Sequence, residues 1–193
     1  MGKTFNLLAA LGLALAPACA LAQDSADTTT PDPNDLSLGS SEPQVGETYV
    51  AETFTDWELR CVRQAEGEDP CQLYQLLSDN QGNAVAEFSI FSLAGNSEAV
   101  AGATIITPLE TLLPAQLRLA TDDAPVKRYP YSFCTQIGCF ARVGFTAEEV
   151  EGFKAGAQIR VVIIAAGAPD DPVELSASLS GFTAGWNRIS GGQ

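Results

Sequence analysis

Histidine is absent from this chain, and basic residues are scarce: ten lysines and arginines stand against 24 aspartates and glutamates. The first absence removes Ser-His and Cys-His nucleophile pairs and every histidine-built zinc site. The second argues against nucleic-acid binding, which needs a basic stripe. The formal net charge is −14, and acidity of that size favours solubility while repelling polyanions and anionic lipid. Long apolar runs are missing too. A membrane-spanning helix needs about 20 apolar residues, and no segment reaches that length without a charge, glycine or proline. There is no Gly-x-Ser-x-Gly elbow, no phosphate loop and no dinucleotide-binding glycine pattern after a strand. No cofactor and no metal is expected.

What is present begins with an export signal. Lys3 is its positive start, Phe5 to Ala16 its apolar stretch, and Ala20-Leu21-Ala22 its small-x-small cleavage site. Residues 1–22 are therefore read as a signal peptide, and lipid attachment at Cys19 is the alternative to cleavage. Removing them takes away Lys3 and moves the charge from −14 to −15. Residues 23–48 follow as an acidic leader rich in Ser, Thr, Pro and Asp. Such a composition buries too little apolar surface to offset chain ordering, so the leader is expected to be disordered. The folded domain is placed at 49–193.

Four cysteines remain beyond the signal: Cys61, Cys71, Cys134 and Cys139. Exported chains form bridges where cytosolic thiols stay reduced. Four cysteines allow three pairings; the short separations favour 61–71 and 134–139. In the chain-entropy model these loops contribute about 3 and about 2 kcal/mol. A thiol-redox role would want Cys-x-x-Cys at a helix N-terminus. Cys134-Thr-Gln-Ile-Gly-Cys139 has four intervening residues and reads as a turn between strands, so bridges are the preferred reading.

Periodicity points to strands. Trp57-x-Leu59-x-Cys61 alternates with Glu58 and Arg60, as a half-buried strand does. Further strands are predicted at 72–77, 84–93, 100–106, 116–120, 131–134, 140–143 and 173–179. Ile159 to Ala165 is a continuous apolar run and predicts a central strand covered on both faces. Thr146-Ala-Glu-Glu149 is a capping box, which predicts a helix over 147–154. Thr107-Pro-Leu-Glu110 has the same form, but Pro114 limits it to a turn. Many short strands and one short helix predict an all-β fold, an antiparallel β-sandwich or open barrel, in one disulfide-stapled domain.

The residues then resemble the invasion-associated locus B family of exported bacterial proteins. Phe54-Thr-Asp-Trp57-Glu-Leu-Arg-Cys61 is similar to the family's opening F-x-D-W-x-x-x-C strand. Pro70-Cys71-Gln72 resembles its P-C-Q segment, and Thr107-Pro-Leu-Glu-Thr-Leu-Leu-Pro114 its Pro/Leu-rich connection. Tyr131-Ser-Phe-Cys134 followed by Gly138-Cys139 resembles its paired cysteine element, and Leu179-Ser-Gly-Phe182-Thr-Ala184 its closing S-L-x-G-F strand. The pieces occur in the family's order over residues 53 to 189. The usual glycine of the Pro/Leu-rich connection is absent from Pro114-Ala115-Gln116. The resemblance implies a β-sandwich protein of the periplasm or outer surface, with no enzymatic activity and no cofactor. It also implies a protein partner at the envelope or on a host surface. The chain is expected to be a monomer with no transmembrane span.

Other groups are weighed as sites and set aside. Asp56 and Glu58 share a strand face and are the pair a carboxylate-only periplasmic hydrolase would use. Asp122-Asp123 and Asp170-Asp171 lack the spaced oxygen ligands of a calcium loop and read as turns before proline. Lys127-Arg128 reads as a solvated loop. Trp57 and Trp186 read as packing residues.

Overall fold

Alternating side chains along Trp57–Cys61 become a strand with two unlike faces. Trp57, Leu59 and Cys61 are buried, while Glu58 and Arg60 point away from the core. The computed structural model describes residues 39, 42–95 and 98–191, and the elements below lie in the unit Ser40–Gln193. The signal peptide (1–22) and most of the leader (23–48) lie outside the described residues. The strands are β1 (Thr48–Phe54), β2 (Trp57–Val62), β3 (Cys71–Ser78), β4 (Ala84–Ser92), β5 (Ala101–Thr107), β6 (Leu117–Thr121), β7 (Lys127–Tyr129), β8 (Tyr131–Cys134), β9 (Cys139–Phe145), β10 (Gln158–Ala165) and β11 (Ala168–Ser178). Two helices, α1 (Ala147–Ala155) and α2 (Phe182–Ser190), complete the unit.

The strands form two antiparallel sheets. One has seven strands in the order β1-β2-β3-β4-β5-β9-β8, the other four in the order β11-β10-β6-β7. β1 to β5 make a meander, the chain crosses to the second sheet for β6 and β7, returns for β8 and β9, and crosses again through α1. The sheets remain separate, so the sandwich reading holds and the barrel does not. The ladder starts inside the residues assigned to the leader. Gly46 N–H donates to the Arg63 carbonyl at 2.8 Å, and Arg63 N–H to the Glu47 carbonyl at 2.9 Å.

Between the sheets runs a chain of aromatic contacts. Phe88 packs edge-on to Trp57, Trp57 to Phe182, Phe182 to Phe153 and Phe153 to Phe145, at centroid separations of 5.7, 5.6, 5.7 and 4.9 Å. These rings tie the seven-stranded sheet to both helices, and Tyr129 of β7, edge-on to Phe145 at 6.3 Å, brings in the four-stranded sheet. Edge-to-face pairs of this kind add about 0.5–1.5 kcal/mol each beyond area burial. α1 forms as the capping box requires: the Thr146 hydroxyl accepts from the Glu149 backbone N–H, and the Glu149 carboxylate accepts from the Thr146 N–H. The second box makes only a turn, with Thr111 N–H donating to the Pro108 carbonyl, before a 3-10 turn at Leu113–Ala115.

Four expectations need correction. The closing segment is not a strand beyond Leu179: Gly181 adopts a left-handed conformation (φ 85°) and starts α2. The helix is amphipathic, with Phe182, Gly185 and Trp186 buried and Ile189 packed against the core, a spacing of i, i+3, i+4 and i+7. Lys127-Arg128 is a short strand rather than a loop. Asp170-Asp171 lies within β11, because Ala165 pairs with Ala168 and the hairpin closes at Ala166-Gly167. β10 is central, between β11 and β6, yet Arg160 is exposed on its outer face. Cover on both sides applies at Ile163-Ile164, where the Leu112 N–H donates to the Ile164 carbonyl at 2.7 Å.

Candidate protein-binding surface

Both cysteine pairs sit directly opposite each other across antiparallel ladders. Cys61 is the register partner of Cys71 in β2–β3, and Cys134 that of Cys139 in β8–β9. Each pair is joined by a disulfide. The 61–71 ring encloses a loop pinned by Asp69, whose carboxylate accepts from the Tyr49 hydroxyl at 2.6 Å, the Gln64 N–H at 2.7 Å and Arg63 Nη1 at 2.8 Å. The hydrogen bond from Tyr49 holds the Asp69 carboxyl below its ordinary range, helped by the Gln64 N–H. A cleft of about 540 Å³ beside this bridge includes Arg60, Asp69 and Arg188. All three are committed: Arg60 to Glu58 and the Tyr74 ring, Asp69 to Tyr49, and Arg188 to Glu52.

The paired-carboxylate candidates are not brought together as a catalytic site. Asp56 lies in the β1–β2 turn and accepts from the Ser178 hydroxyl at 2.6 Å, whereas Glu58 pairs with Arg60 at 2.8 Å. Asp122 holds the junction between α1 and β10 by accepting from the backbone N–H groups of Ala157 and Gln158 at 3.0 and 3.1 Å. Among the described residues, no group of three or more His, Cys, Asp or Glu side chains is placed to hold a metal. Trp57 is fully buried and donates Nε1–H to the Ser178 carbonyl at 2.8 Å; Trp186 is 5 % exposed and stacks on Phe182.

Sequence reasoning missed the outer face of the seven-stranded sheet. The four-stranded sheet and α2 cover the inner face. On the outer face the registers Leu76↔Glu87, Glu87↔Ile106, Ile106↔Phe140 and Phe140↔Phe133 make one row across five strands. Phe133 stacks on Phe140 with centroids 4.8 Å apart, and the Arg142 guanidinium lies over Phe133 at 5.2 Å. Leu76, Val85, Ile106, Pro108 and Ile137 line a shallow cleft of about 330 Å³ at the end of this row. Ile137 stands at the tip of the β8–β9 turn and is 75 % exposed; Leu76 and Phe133 are 51 % and 41 % exposed. The Cys134–Cys139 bridge closes the base of that turn, and Thr135 N–H donates to the Gly138 carbonyl at 2.9 Å. An apolar side chain held out on a closed turn, beside a stacked phenylalanine pair and a mostly apolar row, is the arrangement expected of an interaction surface.

Tyr129 gives this unit its strongest proton-linked signature. Burial, with the Glu149 carboxylate nearby, pushes its phenol from 10.0 up to about 12. Tyr49, Tyr74 and Tyr131 are also raised, Tyr49 by donating to Asp69 and the other two by burial. A raised folded-state pKa contributes stability that is complete below the unfolded value and is lost as pH rises through the folded value. Phenolate absorbance of the folded protein is therefore expected to rise late, with its last step near pH 12. Stability should fall between about pH 10 and 12. Glu149→Gln should lower that last step only in part, since burial remains. A last step near the ordinary tyrosine value in the native protein would contradict the placement of Tyr129.

Fold and surface together define a disulfide-bonded, two-sheet antiparallel sandwich with one sheet face left uncovered and partly apolar. The family model described as "Invasion associated locus B (IalB) protein" matches residues 57–190. Invasion protein B homologues of Brucella abortus strain 2308 and of Brucella abortus biovar 1 strain 9-941 are each 30 % identical over 155 residues, 80 % of this chain and 87 % of theirs. The crystal structure of invasion associated protein B from Bartonella henselae superposes with a TM-score of 0.62 at 25 % identity, covering 75 % of this chain and 95 % of that one. This chain belongs to the invasion-associated locus B family.

Proposed function

We propose that the chain is exported to the periplasm, stays at the cell envelope or its outer surface, and binds a protein partner there without catalysing a reaction. The apolar row Leu76, Ile106, Phe140 and Phe133, capped by the exposed Ile137, is the observation that carries this reading. Large apolar side chains on an uncovered sheet face have no part in packing the sandwich, and their burial against a second protein is favourable at about 25 cal/mol per Å². Glu87, within the row, takes part in no ion pair among the described residues. It supplies one polar contact in an otherwise apolar strip. Export rests on the Lys3 to Ala22 signal and on disulfides that persist in an oxidising compartment. The naming of the Brucella and Bartonella relatives as invasion proteins supports a role in host-cell interaction for the envelope-bound chain.

Crosslinking and pull-down from intact envelopes, with the wild-type chain and Ile137→Asp side by side, tests this. The wild type should recover one protein at stoichiometric yield. Ile137→Asp should weaken that association by about thirtyfold, the effect of losing a central contact worth about 2 kcal/mol. Its unfolding midpoint should be unchanged, because the side chain is 75 % exposed. Equal recovery by the variant, or a turnover activity of the wild type that is lost in Asp56→Asn with Glu58→Gln, would sink the respective halves of the proposal.

A further inference from the structure

Spaced along the sequence, the arginines look scattered; the register of the four-stranded sheet gathers three of them. Arg118 on β6 is the direct partner of Arg128 on β7, and Arg160 on β10 is the direct partner of Ala120, two residues along β6 from Arg118. Side chains alternate along a strand, so Arg118, Arg128 and Arg160 share one face. It is the outer face, because Leu117, Leu119, Ile159 and Val161 are buried in the core on the other. Directly opposed side chains begin about 4.5–5.5 Å apart at Cβ and diagonal ones about 7–8 Å. Three guanidinium forks on such stems reach a single ligand.

This cluster works against the stability of the sheet that carries it. None of the three arginines is in an ion pair among the described residues. The carboxylate that shares their face in the strand register is Glu174, which lies across Val162 from Arg118. Like charges directly opposite one another destabilise a strand pair. Arg118 carries a second penalty, since its Nε–H is buried and meets no acceptor, and an unmade bond from a charged buried donor is more costly than one from a neutral group. A chain with a net charge of −14 and only ten basic residues nonetheless opposes two of them across one ladder. A bound anion would relieve the repulsion between the paired arginines.

We infer that the outer face of the four-stranded sheet binds a tetrahedral oxyanion, a phosphate or sulfate ester, held by Arg118, Arg128 and Arg160. Arginine forks match such groups bidentately. A tetrahedral group offers enough oxygens for three forks, where a carboxylate offers two. The net charge of the whole protein repels extended polyanions, so the ligand is a single ester group, on a soluble molecule or on a lipid headgroup. This site is on the sheet opposite the apolar row and stands independently of the protein-binding proposal.

Inorganic phosphate titrated into the purified protein at low ionic strength, followed by backbone amide shifts, tests it. Saturable shifts centred on β6, β7 and β10 are expected. Arg118→Gln and Arg128→Gln should each weaken binding about tenfold, the share of one charge-assisted fork. Lys127→Gln is the control: it neighbours Arg128 in sequence but faces the other way, with Nζ 2.7 Å from Glu149 Oε1, and should bind as the wild type does. Without anion, the double Arg118→Gln/Arg128→Gln variant should melt about 1–3 °C higher than the wild type, through relieved repulsion. Co-sedimentation with phosphatidylglycerol vesicles that depends on the same arginines would place the ester on a lipid; binding of free phosphate alone would place it on a soluble molecule. No response to either probe, or binding lost equally with Lys127→Gln, overturns the inference.

Discussion

Gly181→Ala is expected to be among the most damaging single substitutions in this protein, with a loss of at least about 3 kcal/mol from left-handed strain and overpacking together. Gly181 has φ 85°, and a Cβ there would collide with the carbonyl group of Phe54. Neither atom has room to yield. The Phe54 carbonyl belongs to the last pair of the β1–β2 ladder, Phe54↔Trp57, and the turn beyond it is already tight, with Thr55 at φ 55°. The Asp56 N–H donates back to the Ser180 carbonyl, so moving one turn drags the other. Gly82→Ala is the matched control: its φ is also 85°, but nothing lies within 4 Å of the added carbon. It should lose only the conformational part, about 1–2 kcal/mol. Urea unfolding of both variants with disulfides intact measures the difference. Equal losses would mean that the contact with Phe54 costs nothing and that the close approach of the two turns is wrong.

That junction also shows what the sequence made legible and what it hid. Phe54-Thr-Asp-Trp57 and Leu179-Ser-Gly-Phe182 were readable as separate family-like pieces at the two ends of the domain. In the folded chain they are one structure: Asp56, Ser178, Ser180 and Gly181 meet, and Trp57 packs on Phe182 at 5.6 Å. Period-two alternation found the strands whose two faces differ, such as β2 and β4, because one face is core and the other water. A strand after Leu179 is what the family-like closing pattern predicts, and there a left-handed glycine changes the period from two to 3.6 within one residue. The helical spacing of Phe182, Gly185, Trp186 and Ile189 was the available signal. The outer surface was hidden for a different reason. Leu76-Leu77 and Ile105-Ile106 break the alternation with apolar doublets, and each doublet places one residue in the core and one on the uncovered face. A doublet marks a strand that is apolar on both sides, but which outward residues line up depends on register between strands, which no single strand encodes. The arginine cluster on the other sheet is a register effect of the same kind.

Gln75 and Leu76 turn that distinction into a direct test. Gln75 faces the core, 8 % exposed, and is fully engaged. Its Nε2 donates to the carbonyls of Asp56 at 2.9 Å and Ser178 at 3.1 Å, and its Oε1 accepts from the Ser178 N–H at 2.7 Å. One side chain thus joins β3, the β1–β2 turn and the end of β11, which is to say the two sheets. Gln75→Leu keeps the volume but leaves the Ser178 N–H and the Asp56 carbonyl without those partners. The Ser178 carbonyl retains the Trp57 indole as a donor. Two part-buried backbone groups stripped of their partners cost about 1–3 kcal/mol in total. Leu76→Asp, one residue away on the opposite face, should cost almost nothing in stability because that side chain is 51 % exposed. It should instead weaken capture of the proposed envelope partner. The two variants are therefore expected to separate cleanly, one in the unfolding midpoint with binding recovered below the transition, the other in binding with the midpoint unchanged. If Leu76→Asp unfolded the protein, the face it occupies would be packing surface, and the apolar row would have to be read as part of the core. If Gln75→Leu cost less than about 1 kcal/mol, near the net worth of one ordinary hydrogen bond, the clamp would not be what couples the sheets.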